Sequence, residues 1–97
     1  MNNKIRSNET DKLFEAILSL ENIEECYAFF EDICTIHEIL AMAQRLGVAK
    51  MLIQKKTYHE IAKDTGASTA TISRVNRSLI FGNDGYSIVL DRANQES

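Results

Sequence analysis

The sequence predicts an all-α fold, and three observations carry that reading. The 97 residues contain no Pro and only four Gly, and Gly47 is the only one of those before residue 66. Apolar residues recur at helical spacing, and no segment alternates with a period of two. Three helix starts are marked by a capping residue with Glu three positions later: Asn22 with Glu25, Thr35 with Glu38, and Thr57 with Glu60. The length suits one domain near the lower end of the usual size range. Such a chain buries a modest core alone and gains from a partner.

The elements follow in order. Residues 1–9 are expected to be a flexible N-terminus; MNNKIRSNETDK is polar, lacks an apolar run and is not a signal peptide. The first helix is expected from about Thr10 to Ser19, with Leu13, Phe14, Ile17 and Leu18 on one face. The second starts at Asn22 and carries Ile23, Cys26, Tyr27, Phe30 and Ile33. The third, about Ile36 to Gln54, differs because its apolar residues cover most of its circumference. A helix apolar nearly all round is buried on all sides. Only two helices precede it and the two of the helix-turn-helix follow directly, too few to surround it, so a second copy of the chain is the economical cover. Residues 10–56 are therefore read as dimerisation helices and 57–80 as a helix-turn-helix. Gly82 to Gly85 (GNDG) signal a turn, and Tyr86 to Arg92 a short last helix, so that 81–92 close the domain. Residues 93–97 are expected to be a flexible tail.

The segment 57–79, TYHEIAKDTGASTATISRVNRSL, is the most informative. Thr57 and Glu60 form a capping box; Ile61 and Ala62 point inward, and Ala62 is small enough for a second helix to cross closely. Gly66 supplies a left-handed turn residue, and Ser68 caps the second helix. Ile72, Val75 and Leu79 form the buried stripe of that helix. Two-helix modules of this kind lay the second helix in the major groove of DNA.

The outward residues define candidate sites. Thr69, Ala70, Ser73 and Arg77 share one side of the second helix. Small side chains let the backbone approach base edges, and a terminal cation suits a phosphate. With Ser68 and His59 they make up the candidate DNA-binding set. Thr71, Arg74 and Ser78 form a second, polar stripe. The bland alternative is a helical hairpin with a solvated polar face. Charge distribution favours DNA. Residues 1–39 hold three basic and nine acidic side chains (−6), residues 40–80 seven and two (+5), and residues 81–97 one and three (−2). A positive section coinciding with the motif suits a polyanion, although the same lysines would also solubilise exposed helix faces.

Other classes are disfavoured. Cys26 and Cys34 lie about 12 Å apart by helical rise, too far for a disulfide, and buried free thiols are expected. No Cys-x-x-Cys occurs, and no metal site is expected. There is no run of eighteen apolar residues, so no membrane span is expected and the cytoplasm is the default compartment. No catalytic triad, phosphate loop or paired-carboxylate spacing is visible, so the chain is not read as an enzyme. The rival class is a helical dimerisation or interaction module that does not itself read DNA. It would usually present large apolar side chains where Thr69, Ala70 and Ser73 stand.

Residues 33–86 resemble the Trp repressor superfamily, and within it the YerC/YecD group of Trp repressor-related proteins. The resemblance rests on AQRL (43–46), the TYHEI start, GASTATISRV (66–75) and FGNDGY (81–86). It implies an intertwined all-α homodimer with two symmetric helix-turn-helix heads on a palindromic operator. The expected activity is sequence-specific transcriptional regulation, most simply repression. It also implies a co-regulator site. Arg45 and Arg74 match the arginines that flank the tryptophan ligand, and Thr71 and Ser78 match polar residues lining that site. This chain departs at Val75, where the Trp repressor has Gly; two branched methyls there are expected to fill part of the pocket and to exclude tryptophan. Arg45 and Arg74 would then hold another small anion or amino-acid co-regulator, or pair with carboxylates as structural ions. No cofactor is assigned.

Overall fold

A computed structural model describes residues 4–96, the side chains of the last two aside. Six helices follow one another: α1 (Asn8–Leu18), α2 (Ile23–Ile33), α3 (Ile36–Ile53), α4 (Tyr58–Thr65), α5 (Thr69–Phe81) and α6 (Gly85–Glu96). Among the described residues no strand occurs, as the periodicity predicts.

The caps explain most of the boundaries. Ser7 accepts from the Thr10 backbone N–H at 3.0 Å, so α1 begins at Asn8, two residues before the expected start. Asn22 caps α2 by accepting from the Glu25 N–H at 2.9 Å. The Glu25 carboxylate reaches back to the N–H of Glu21, one residue earlier than the expected box requires. The box at α3 is complete: the Glu38 N–H donates to Thr35 Oγ1 at 3.1 Å, and the Thr35 N–H donates to the Glu38 carboxylate at 2.7 Å. At the other end, Lys55 takes a left-handed conformation (φ 66°). There the N–H groups of Lys55 and Lys56 bond to the Leu52 and Met51 carbonyls, which stops α3. Helix α6 continues past the expected end at Arg92 to Glu96, because Ala93-Asn94-Gln95-Glu96 contains no breaker.

The chain divides into two compact units, Met1–Ile39 and Leu40–Ser97. In the first, α1 and α2 have apolar stripes but no buried residue. Leu18 is 83% exposed and Ile23 69%. Cys26 and Cys34 are free thiols, half-buried rather than buried. In the second unit, Val48 and Ala49 of α3, Ile61 of α4, Ala67 of the following turn, and Ile72 and Val75 of α5 form one core. Met51, Leu52, Ala62, Leu79, Tyr86 and Leu90 pack against it. Full burial of Ile61, Ile72, Val48 and Val75 contributes roughly 1.5–3 kcal/mol each. The rest of α3 tells another story: Ile36, Leu40, Met42, Leu46 and Ile53 are all exposed in the single chain.

Candidate nucleic-acid interface and adjoining pocket

The helix-turn-helix is built from local bonds. The Thr57–Glu60 capping box starts α4: the Glu60 N–H donates to Thr57 Oγ1 at 3.1 Å, and the Thr57 N–H donates to the Glu60 carboxylate at 2.8 Å. That backbone N–H is the main reason the Glu60 carboxyl lies below its usual range. The Thr57 hydroxyl, the Lys56 cation and the neighbouring His59 add to the effect. Gly66 ends α4 in the left-handed region (φ 73°), where a side chain is strained. The turn is then locked twice. Thr65 Oγ1 donates to the Ile61 carbonyl at 2.7 Å and accepts from the Ala67 N–H at 3.1 Å. Gln44, on α3, donates from Nε2 to the Thr65 carbonyl at 3.1 Å. Ala67 is buried beneath the turn, so α4 and α5 are fixed against one core.

Ser68 caps α5. Its hydroxyl accepts from the Thr71 N–H at 3.1 Å and donates to Thr71 Oγ1 at 3.1 Å. Both hydroxyls are therefore engaged in starting the helix, which aims α5 and leaves Ser68 no free proton. Thr69, Ala70, Ser73 and Arg77 are exposed along the outer side of α5, and His59 is exposed on α4. Between their side chains Ala70, Ser73, Arg74 and Arg77 leave a recess of about 240 Å³.

A second, larger groove of about 520 Å³ lies elsewhere in the same unit. Helix α3 contributes Met42, Arg45 and Leu46 to it; Ser78 and Gly82 come from the end of α5, and Tyr86 and Val89 from α6. Asn83 and Gly85 complete the lining. Gly82 is required there, since a Cβ on it would collide with the Ser78 carbonyl oxygen. The lining is an apolar wall with one guanidinium, the hydroxyls of Ser78 and Tyr86 and one amide, able to take an amphiphilic anion.

The geometry divides the four residues of the expected co-regulator site. Arg45 and Ser78 share the larger groove. Arg74 lines the outer recess instead, and Thr71 is half-buried against the Ser68 cap. Val75 is 1% exposed and belongs to the core; it is not among the residues that line the groove.

The model of the Trp repressor protein family matches residues 8–94. The chain belongs to the Trp repressor family. YerC, an uncharacterized protein of Bacillus subtilis (strain 168), is 59% identical over 92 residues, which are 95% of this chain and 88% of that one. That identity places the chain in the YerC group. The crystal structure of a TrpR-like protein from Eubacterium eligens ATCC 27750 superposes with a TM-score of 0.93 at 59% identity, over 96% of each chain. A Staphylococcus aureus structure gives 0.93 at 58% identity, over 97% of this chain and 95% of that one. The Trp repressor-like fold expected from AQRL, GASTATISRV and FGNDGY is therefore the fold of this chain.

Within that family fold, sequence reasoning missed two things. Gln44 stands inside the AQRL signature, but its role depends on a contact 21 positions away. The groove residues Met42, Leu46, Tyr86 and Val89 read simply as apolar stripe, and only the turn between α5 and α6 brings them together. Among the described residues no helix is long and apolar enough to cross a membrane.

Proposed function

We propose that this protein is a sequence-specific DNA-binding regulator of the Trp repressor type, most simply a repressor, and not an enzyme. It acts on double-stranded DNA in the cytoplasm. The observation that carries this reading is the outer side of α5. A doubly locked turn holds out a row of small side chains, Thr69, Ala70 and Ser73, that ends in the cation of Arg77. Small residues admit the helix backbone to base edges, and the cation fits the phosphate chain. His59, exposed on α4, is read as part of the same DNA-binding set, while Ser68 acts through its cap.

The regulator works as a homodimer on a palindromic site. Support comes from the exposed apolar side chains of α1, α2 and α3, which a second copy would cover. Residues 10–56 are then the dimerisation helices and 57–80 the reading head. Tryptophan does not gate it. The reading is supported by Arg45 lining the larger groove while Arg74 lines the recess on α5. This differs from the expected reason, in which Val75 fills the pocket.

Selection of bound sequences from random duplex DNA tests the reading. It should be run with and without pooled amino acids and nucleotide metabolites. A palindromic consensus with half-sites about one helical turn apart is expected, obtained without tryptophan. Absence of any enriched sequence under all conditions would sink the proposal and leave a helical interaction module.

A further inference from the structure

The recess on the outer side of α5 contains more positive charge than one phosphate contact by Arg77 requires. Ala70, Arg74 and Arg77 follow at i, i+4 and i+7, so both guanidinium groups rise from one side of the helix. Ser73 adds a hydroxyl to the lining and Ala70 only a methyl. No carboxylate lines the recess. Two guanidinium groups on one wall repel each other unless an anion lies near them. The space, about 240 Å³, exceeds the roughly 30 Å³ share of a single water several-fold and accommodates a tetrahedral oxyanion. A guanidinium fork matches such an anion with paired N–H donors.

We propose that this recess seats one phosphate of the DNA backbone, gripped by Arg74 and Arg77 together, so that DNA binding needs no small-molecule co-regulator. The proposal rests on the DNA-binding reading and assigns its regulation. Arg74 is a DNA ligand and not one side of a metabolite clamp. Three placements support it. Arg45 lies in the separate groove with Ser78. The Thr71 hydroxyl, on the stripe between, is bonded to Ser68. Arg74 itself is exposed beside Arg77.

The test uses the full chain, purified free of metabolites, and a duplex enriched by selection, with affinity measured across a salt series. Arg74→Gln and Arg77→Gln should each weaken binding about tenfold and lower the salt slope by about one. The double variant should lose less than the product of the two, because both arginines hold the same phosphate. Arg74→Lys should restore part of the slope, as charge without the fork. Replacing single phosphates by neutral methylphosphonates should find one linkage whose change costs the wild type and neither glutamine variant. Lys12→Gln, at an exposed position on α1, should bind like the wild type, and thermal melts should show all variants folded. If Arg74→Gln binds as the wild type does while Arg77→Gln is weaker, the inference fails and the DNA reading stands. A loss at Arg74 seen only with added metabolites would also overturn it. If the wild type binds no duplex, both fail.

Discussion

Among the described residues, those up to Ile39 and those from Leu40 onward both form helices with an apolar stripe, yet only the second set buries any of it. Leu13, Phe14, Leu18, Ile23 and Tyr27 are all exposed, and no residue of α1 or α2 is buried. The second set closes six residues from three helices and a turn into one core. Charge divides at the same place, with −6 on residues 1–39 and +5 on residues 40–80. Helices of 11 residues, the length of α1 and α2, are marginal alone in water. The comparison teaches that the residues from Leu40 onward carry their own core, whereas the N-terminal helices leave their stripes uncovered in the single chain.

The largest test contrasts the two directly. Ile72→Ala should cost about 2–5 kcal/mol by urea unfolding, as truncation of a fully buried side chain does. Leu18→Ala, at an 83% exposed position, should cost less than about 0.5 kcal/mol if water is its real neighbour. If a second copy covers it, the loss should exceed about 2 kcal/mol and the unfolding midpoint should rise with protein concentration. A concentration-independent midpoint, with Leu18→Ala silent, would break the dimer side of the comparison.

A smaller effect isolates the turn. Gly66→Ala forces a Cβ into the left-handed conformation at φ 73° and should cost about 1 kcal/mol. Nothing crowds that position, so the loss should appear in stability while the far-ultraviolet spectrum stays helical.

The smallest effect places one probe in each unit. Glu38 and Glu60 are held below the usual glutamate range, chiefly by the backbone N–H groups of Thr35 and Thr57 that they accept from. Folding thus favours their charged forms. Their contribution is complete above the unfolded glutamate range and is lost as pH falls through the lowered folded values. Glu38→Gln and Glu60→Gln should each flatten the acid limb of a stability-against-pH curve slightly. An unchanged limb in both variants would show that these caps do not discriminate charge.

How much was legible in the sequence depended on range. The boxes at Thr35–Glu38 and Thr57–Glu60 and the stripe of Ile72 and Val75 are written in spacings of three and four, and the structure forms both boxes and buries both stripe residues. Ser7 gave a weaker signal, since its third neighbour is Thr10 rather than Glu. The link from Gln44 to Thr65 had no local mark at all. Arg74 is the instructive case. Spacing sets it on the stripe of Thr71 and Ser78, and the family resemblance pairs it with Arg45, whereas the structure has it lining a recess with Ala70, Ser73 and Arg77. At about 40° from Ala70 in helix phase, Arg74 stands between the two stripes, and its long side chain reaches either one.

The amide of Gln44 has a consequence for anyone who would retarget this protein. On the proposed reading, substitutions at Thr69, Ala70 or Ser73 exchange the letters that are recognised. Gln44 touches no letter. It joins α3 to the corner before α5, so altering its length or polarity should move the recognition helix as one body. Vocabulary and posture are thereby encoded on separate helices, and each can be varied while the other is kept.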